Sequence, residues 1–188
     1  MIKQAVVKFQ ASLFALMLAL FLLPLDAAHA GSASEIDASV DTALRQFKKE
    51  VKGAAEYLAA AKGVLVMPDV KKVGFVVGAQ WGEGALRVGG KTVGYYKMEA
   101  GSAGFQGGYQ KASFVFLFLT QASLDKFRAS EGYSVGVETG ITVMDASTPA
   151  MSADTLKSQY SVVAFGFGKE GLMGGWSAKG TKFTRLKK

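Results

Sequence analysis

Cysteine is absent from the 188-residue chain, and histidine occurs once, at His29. Without cysteine there is no disulfide, no thiol nucleophile and no lipid-carrying cysteine of the kind that ends a bacterial lipoprotein leader. His29 falls in a segment, Met1 to Ala30, that reads as a secretory signal. Once that segment is removed, the remainder has neither residue. This excludes Cys-dependent mechanisms, His-dependent triads and ordinary zinc sites together. Carboxylates or a Ser–Lys pair remain as acid–base groups, without the side chain most often used for that work.

Long apolar runs are also lacking. The longest, Ala11 to Leu23, is shorter than the roughly 20 residues a membrane-spanning helix needs. Lys3 and Lys8 precede it, and Ala28-His29-Ala30 follows as a small-x-small cleavage site before Gly31. The expectation is a leader over 1–30 and one mature domain over 31–188, delivered to a bacterial periplasm. Formal net charge is +7, and loss of Lys3, Lys8 and Asp26 with the leader leaves +6. A basic exported domain meets few nucleic acids. Anionic head groups or other acidic surface polymers are its natural partners.

From Ser34 to Lys62 the apolar positions Ile36, Val40, Leu44, Phe47, Val51, Ala55 and Leu58 recur at spacings of three and four. That period predicts one amphipathic helix over 34–62, capped by Ser34 and stopped by Gly63, with Arg45, Lys48, Lys49, Lys52 and Glu56 on the polar face. After Gly63 glycine becomes dense, and β-branched and aromatic residues alternate with small or polar ones. Strands are expected at Val64–Met67 (ended by Pro68), Val73–Gln80, Ala85–Val88 and Thr92–Lys97, with Gly89-Gly90 as a hairpin turn. Others follow at Ala103–Gln110, Ser113–Leu119, Tyr133–Glu138, Gly140–Met144, Ser161–Phe167, Leu172–Ala178 and Lys182–Leu186. A short helix capped by Thr120 spans Gln121–Ser130 with Leu124 and Phe127 inward, and Asp145–Asp154 reads as a loop. Glycine inside many short strands implies a bent sheet. The fold class is therefore α+β: a long N-terminal helix plus a strongly curved, mostly antiparallel sheet or barrel.

Motifs for catalysis fail on context. Gly166-Phe167-Gly168-Lys169-Glu170-Gly171 matches the dinucleotide string, but only strand-like sequence follows where a helix must hold the pyrophosphate. Gly90-Lys91-Thr92 resembles the end of a phosphate loop, yet the required first glycine is one residue out of place. Glu83, Glu99, Glu131 and Glu138 are surface carboxylates by default, and Ser102 and Ser177 lack a nucleophile elbow. Trp81, Tyr95, Tyr96, Phe114, Phe116, Tyr133 and Trp176 read as core or barrel wall.

Several stretches keep a shared order and spacing: Ala61-Lys62-Gly63-Val64-Leu65-Val66-Met67-Pro68, Lys72-Val73-Gly74-Phe75, Gly82-Glu83-Gly84-Ala85-Leu86, Gly94-Tyr95-Tyr96 and Gly107-Gly108-Tyr109-Gln110. Thr120-x-x-x-Leu124-x-x-Phe127, Ser130-Glu131-Gly132-Tyr133, Lys169-Glu170-Gly171-Leu172-Met173 and Gly180-Thr181-Lys182 continue the series. Over about Ala54 to Leu186 the chain resembles the SYLF domain family, a lipid-binding domain also found in eukaryotic cortical and endocytic proteins. The resemblance implies binding of phosphoinositides or other anionic lipids, aided by an amphipathic N-terminal helix, without catalysis or a cofactor. Some eukaryotic members bind and bundle actin, a partner that an exported bacterial protein would not meet. Carried onto this chain, the lipid-facing candidates are Arg45, Lys48, Lys49 and Lys52, with Phe47 and Val51 as apolar neighbours.

Three functions are thus expected to compete. One is a module on anionic membrane surfaces, another a periplasmic carrier enclosing an apolar ligand, and the third a structural envelope protein. An apolar stripe cannot serve the core and the bilayer at once, so the position of Ile36, Phe47 and Val51 separates the ways the first could work.

Overall fold

A computed structural model describes residues 31–74, 77–103, 108–130, 132–134, 141–148, 150–170 and 180–188. The expected leader, the strand at Leu172–Ala178 and most of Tyr133–Glu138 lie outside the described residues. Among those described, helices are α1 (Ala33–Glu50), α2 (Ala54–Ala60), α3 (Gln121–Ala129) and α4 (Ala153–Gln159). Strands are β1 (Gly63–Gly74), β2 (Val77–Val88), β3 (Lys91–Ala103), β4 (Gly108–Phe118), β5 (Gly132–Ser134), β6 (Ile141–Asp145), β7 (Val162–Glu170) and β8 (Thr181–Leu186). The strands form one curled half-barrel in the order β5-β8-β3-β2-β1-β4-β7-β6. All pairs are antiparallel except β6–β7, whose parallel pairing requires a crossover connection, made here through α4. The α+β class and the curved, mostly antiparallel sheet are as the sequence leads one to expect.

Both faces of the sheet are covered, which explains the almost unbroken apolar runs of its central strands. Val64 and Val66 of β1, Val115 and Leu117 of β4, and Val163, Phe165 and Phe167 of β7 face α1, α2 and α4. Alternate residues Leu65, Met67, Phe114, Phe116, Phe118, Val162 and Ala164 face α3. On that second face Phe127 of α3 sits against Tyr96, Phe118, Tyr133 and Phe183, with ring centroids 4.8 to 5.8 Å apart. Thr120 caps α3, and Leu124 and Phe127 are its buried residues, as expected.

Five expectations are corrected. The helix over 34–62 is two helices, because Gly53 takes φ 82 and re-phases the stripe, burying Ala54 and Tyr57 instead of Ala55 and Leu58. Its cap is Ser32, which with Glu35 forms a reciprocal capping box. Pro68 does not end β1: one extra residue sits between Met67 and Val70 relative to β4, and a bulge absorbs the missing N–H. Asp69 there has φ 50, and its N–H donates to Ser113 Oγ at 3.2 Å. The strands expected at Val73–Gln80 and Ala103–Gln110 each straddle a reversal, since β1 ends at Gly74 and β3 at Ala103. Finally, α4 occupies part of the expected loop and the sequence after it, capped by Ser152.

Candidate functional site

Helix α1 crosses the sheet over β2, β1, β4 and β7. Its buried residues are Ile36, Val40, Ala43 and Phe47, and Val51 follows at its end. Phe47 is 0% exposed and lies 5.6 and 5.4 Å, centroid to centroid, from Phe165 and Phe167. Val51 is 5% exposed in the same cluster. The assignment of Phe47 and Val51 as lipid-facing neighbours is therefore corrected: the core takes the whole apolar stripe. Fully burying such a side chain is worth roughly 1.5–3 kcal/mol, so peeling Ile36, Val40, Phe47 and Val51 off the sheet would cost roughly 6–12 kcal/mol.

Polar contacts pin the same helix at both ends. Asp37 accepts hydrogen bonds from Thr92 Oγ1 at 2.6 Å and Tyr95 OH at 2.8 Å, and from Arg87 at 3.3 Å. Arg87 also reaches Asp41 at 2.9 Å. Partial desolvation acts to raise the Asp37 pKa, but the Thr92 and Tyr95 hydrogen bonds and the Arg87 guanidinium outweigh it and hold the carboxyl below its ordinary value. The hydrogen bond to Asp37 in turn pushes the Tyr95 phenol up. At the other end Glu50 accepts from the Gly168 N–H at 3.1 Å and from Gln46 at 2.8 Å. Gly168, at φ 72, lies within β7, so the dinucleotide-like string is part of a strand through Glu170.

Outward, α1 carries the acids Glu35 and Asp41 in its first half and Glu50 at its end, and its cations are gathered in the second half. Arg45, Lys48, Lys49 and Lys52 are all exposed; spacings of three and four put Arg45, Lys48 and Lys49 along one side of α1, and Lys52 lies in the turn that follows it. Arg45 donates to Thr42 at 2.9 Å. Among the described residues no ion pair involves Lys48, Lys49 or Lys52, whereas Arg87, Lys97, Lys111 and Lys188 are each paired with a carboxylate. Lys48 and Lys49 also occupy the last turn of α1, where cations complement the negative end of the helix.

Of the four carboxylates considered from sequence, the two that are described each have partners of their own. Glu99 pairs with Lys97 at 2.8 Å, and Glu83 accepts from the Gly31 N–H at 3.0 Å. Glu131 and Glu138 lie outside the described residues. Sequence reading missed the Asp37–Arg87–Thr92–Tyr95 group. Its one signal was an acid next to Ile36 in the half of the helix that also holds Glu35 and Asp41 and none of its basic residues. No protein-family model matches the chain, and no curated protein is similar to it.

Proposed function

We propose that this is an exported, non-catalytic module of the kind the SYLF resemblance implies, binding anionic phospholipid surfaces through Arg45, Lys48, Lys49 and Lys52. One observation carries the reading: three exposed cations line one side of a helix whose apolar side is already used by the core, and a fourth, Lys52, lies in the turn that follows. Attachment would then be electrostatic and superficial. Each Lys or Arg near an anionic surface contributes about 1 kcal/mol, or about 4 kcal/mol for the four. That is less than the cost of lifting the helix, so the docked helix wins and the bilayer meets only its cations. The solvated basic face is the competing account, and it predicts no vesicle binding.

The carrier reading finds less support. The face opposite α1 is filled by Phe114, Phe116, Phe118, Phe127 and Phe183, all nearly fully buried. A lipid tail would have to displace those rings.

Co-sedimentation with vesicles containing acidic phospholipid tests the proposal. The wild-type chain is expected to bind at low ionic strength and release at high salt, because exposed charges are screened within about 10 Å at 0.1 M. Replacing Arg45, Lys48, Lys49 and Lys52 together with glutamine should weaken binding by about 1,000-fold, from about 4 kcal/mol at tenfold per 1.4 kcal/mol. Unchanged binding by that variant would reject the assignment.

A further inference from the structure

Glu83 is spent on a group the fold alone does not require it to hold. The start of α1 is already satisfied: Ser32 accepts from the Glu35 N–H at 3.2 Å, and Glu35 accepts from the Ser32 N–H at 2.7 Å. Gly31 lies outside that cap. Its N–H nevertheless donates to Glu83 Oε2 at 3.0 Å across 52 positions of sequence. Lys188 Nζ lies 3.4 Å from the same carboxylate and also donates to the Gly31 carbonyl oxygen. The Glu83 and Lys188 side chains are 25% and 11% exposed, so this contact is largely sheltered. A Cβ built on Gly31 would sit 3.6 Å from Glu83 Oε2 and 4.0 Å from Glu35 Oε2.

Two carboxylates thus face one side-chain ammonium at the residue that follows the expected cleavage site. An amide nitrogen offers them one donor and no charge. An α-ammonium would offer three donors and the missing positive charge. We propose that Glu83, with Glu35 beside it, is a receiving site for the α-ammonium of Gly31 created when the Ala30–Gly31 peptide bond is hydrolysed. The inference rests on the export reading. Water adds across that bond, Ala30 leaves with the new carboxylate, and Gly31 keeps the nitrogen, which takes up a proton at neutral pH. Processing then replaces a neutral hydrogen bond with an ion pair between the start of α1 and β2, and the mature chain is held more tightly than its precursor.

The charged groups around the amine set the sign. Glu83 from β2 and Glu35 from α1 favour the ammonium. Asp37, further along α1, is engaged by Arg87, and Lys97, across from Glu83 on β3, is engaged by Glu99. Lys188 and the positive end of α1 oppose the ammonium. With its pKa raised in the folded chain, the amine adds stability that is complete below about 7.7–8.0, the ordinary α-amino range, and is lost as pH rises through the folded value.

The test titrates the Gly31 amine by NMR in a chain released to begin at Gly31, which contains both hydrophobic clusters. The expected folded pKa lies above the ordinary ~7.7–8.0 of an α-amino group. Acylation of the amine at pH 8 should correspondingly be about 10-fold slower than in Glu83→Gln. Lys188→Met, which removes the competing cation, should raise the pKa further, and it carries the test by itself if Glu83→Gln does not fold. An ordinary pKa in the folded wild type, or no response to either substitution, overturns the proposal. Amino-terminal sequencing of protein exported by a bacterial host separates the two readings. A first residue other than Gly31 sinks the processing step. A start at Gly31 with an ordinary amine leaves export standing and sinks the receiving site.

Discussion

At the scale of single residues, the most consequential polar group is Asp37. It gathers Thr92, Tyr95 and Arg87 from β2 and β3 and ties them to the first half of α1. Arg87 Nε is buried without a partner, so the guanidinium depends on Asp37 and Asp41 for compensation. The Asp37 side chain is about one-third exposed, which screens the pair. Asp37→Asn should therefore cost about 1–2 kcal/mol at pH 7 in denaturant unfolding, less than a fully buried charged hydrogen-bond network would. Because the folded pKa lies below the ordinary value, the contribution is present above about pH 4 and fades as pH falls through the folded pKa. The difference between wild type and variant should shrink accordingly in acid. Gly84 is a second point of decision. A Cβ there would lie 1.9 Å from the Val66 carbonyl oxygen, a backbone atom that cannot step aside. Gly84→Ala should destabilise by about 3 kcal/mol or more, measured as a shift in denaturation midpoint.

At the scale of elements, α1 shows what a periodic pattern reveals and what it hides. Ile36, Val40 and Phe47 were legible as one stripe because spacings of three and four leave few alternatives. The break at Gly53 was not, because Val51, Ala55 and Leu58 keep the same period across it. Only the left-handed φ of Gly53 shifts burial to Ala54 and Tyr57. Tyr57 then stacks on Phe165 at 5.5 Å and bonds the Met151 carbonyl through its hydroxyl at 2.7 Å, a contact 94 positions away. The short helix α4 escaped for a related reason: Leu156 is its one fully buried residue, so it has no period to read. Pro68 misled because a bulge, set by the partner strands, tolerates the proline. Gly89 and Gly90, both at positive φ, gave a hairpin that sequence alone could place. The two sides of α1 should respond differently to substitution. Phe47→Ala is expected to cost about 3–5 kcal/mol, and Lys48→Ala less than about 0.5 kcal/mol, in the same unfolding assay.

At the scale of the whole molecule, the same helix secures the fold with one side and offers charge with the other. The basic residues named from the family resemblance are outward, and the two apolar ones named with them are inward. Which residues were charged was plain in the sequence. Which of them would find partners was largely not, since Arg87, Lys111 and Lys188 are neutralised by carboxylates brought in by helix packing, strand register and chain return, and only Lys97 pairs with a neighbour on its own strand, Glu99. The proposal stands on a helix that stays seated while its cations meet lipid. Amide hydrogen exchange of α1 in protein saturated with acidic-phospholipid vesicles tests this most directly. Amides from Val40 to Phe47 should stay as protected on vesicles as in free protein, and equally with β4. Loss of their protection on vesicle binding would mean that the helix leaves the sheet to enter the bilayer, and would contradict the account.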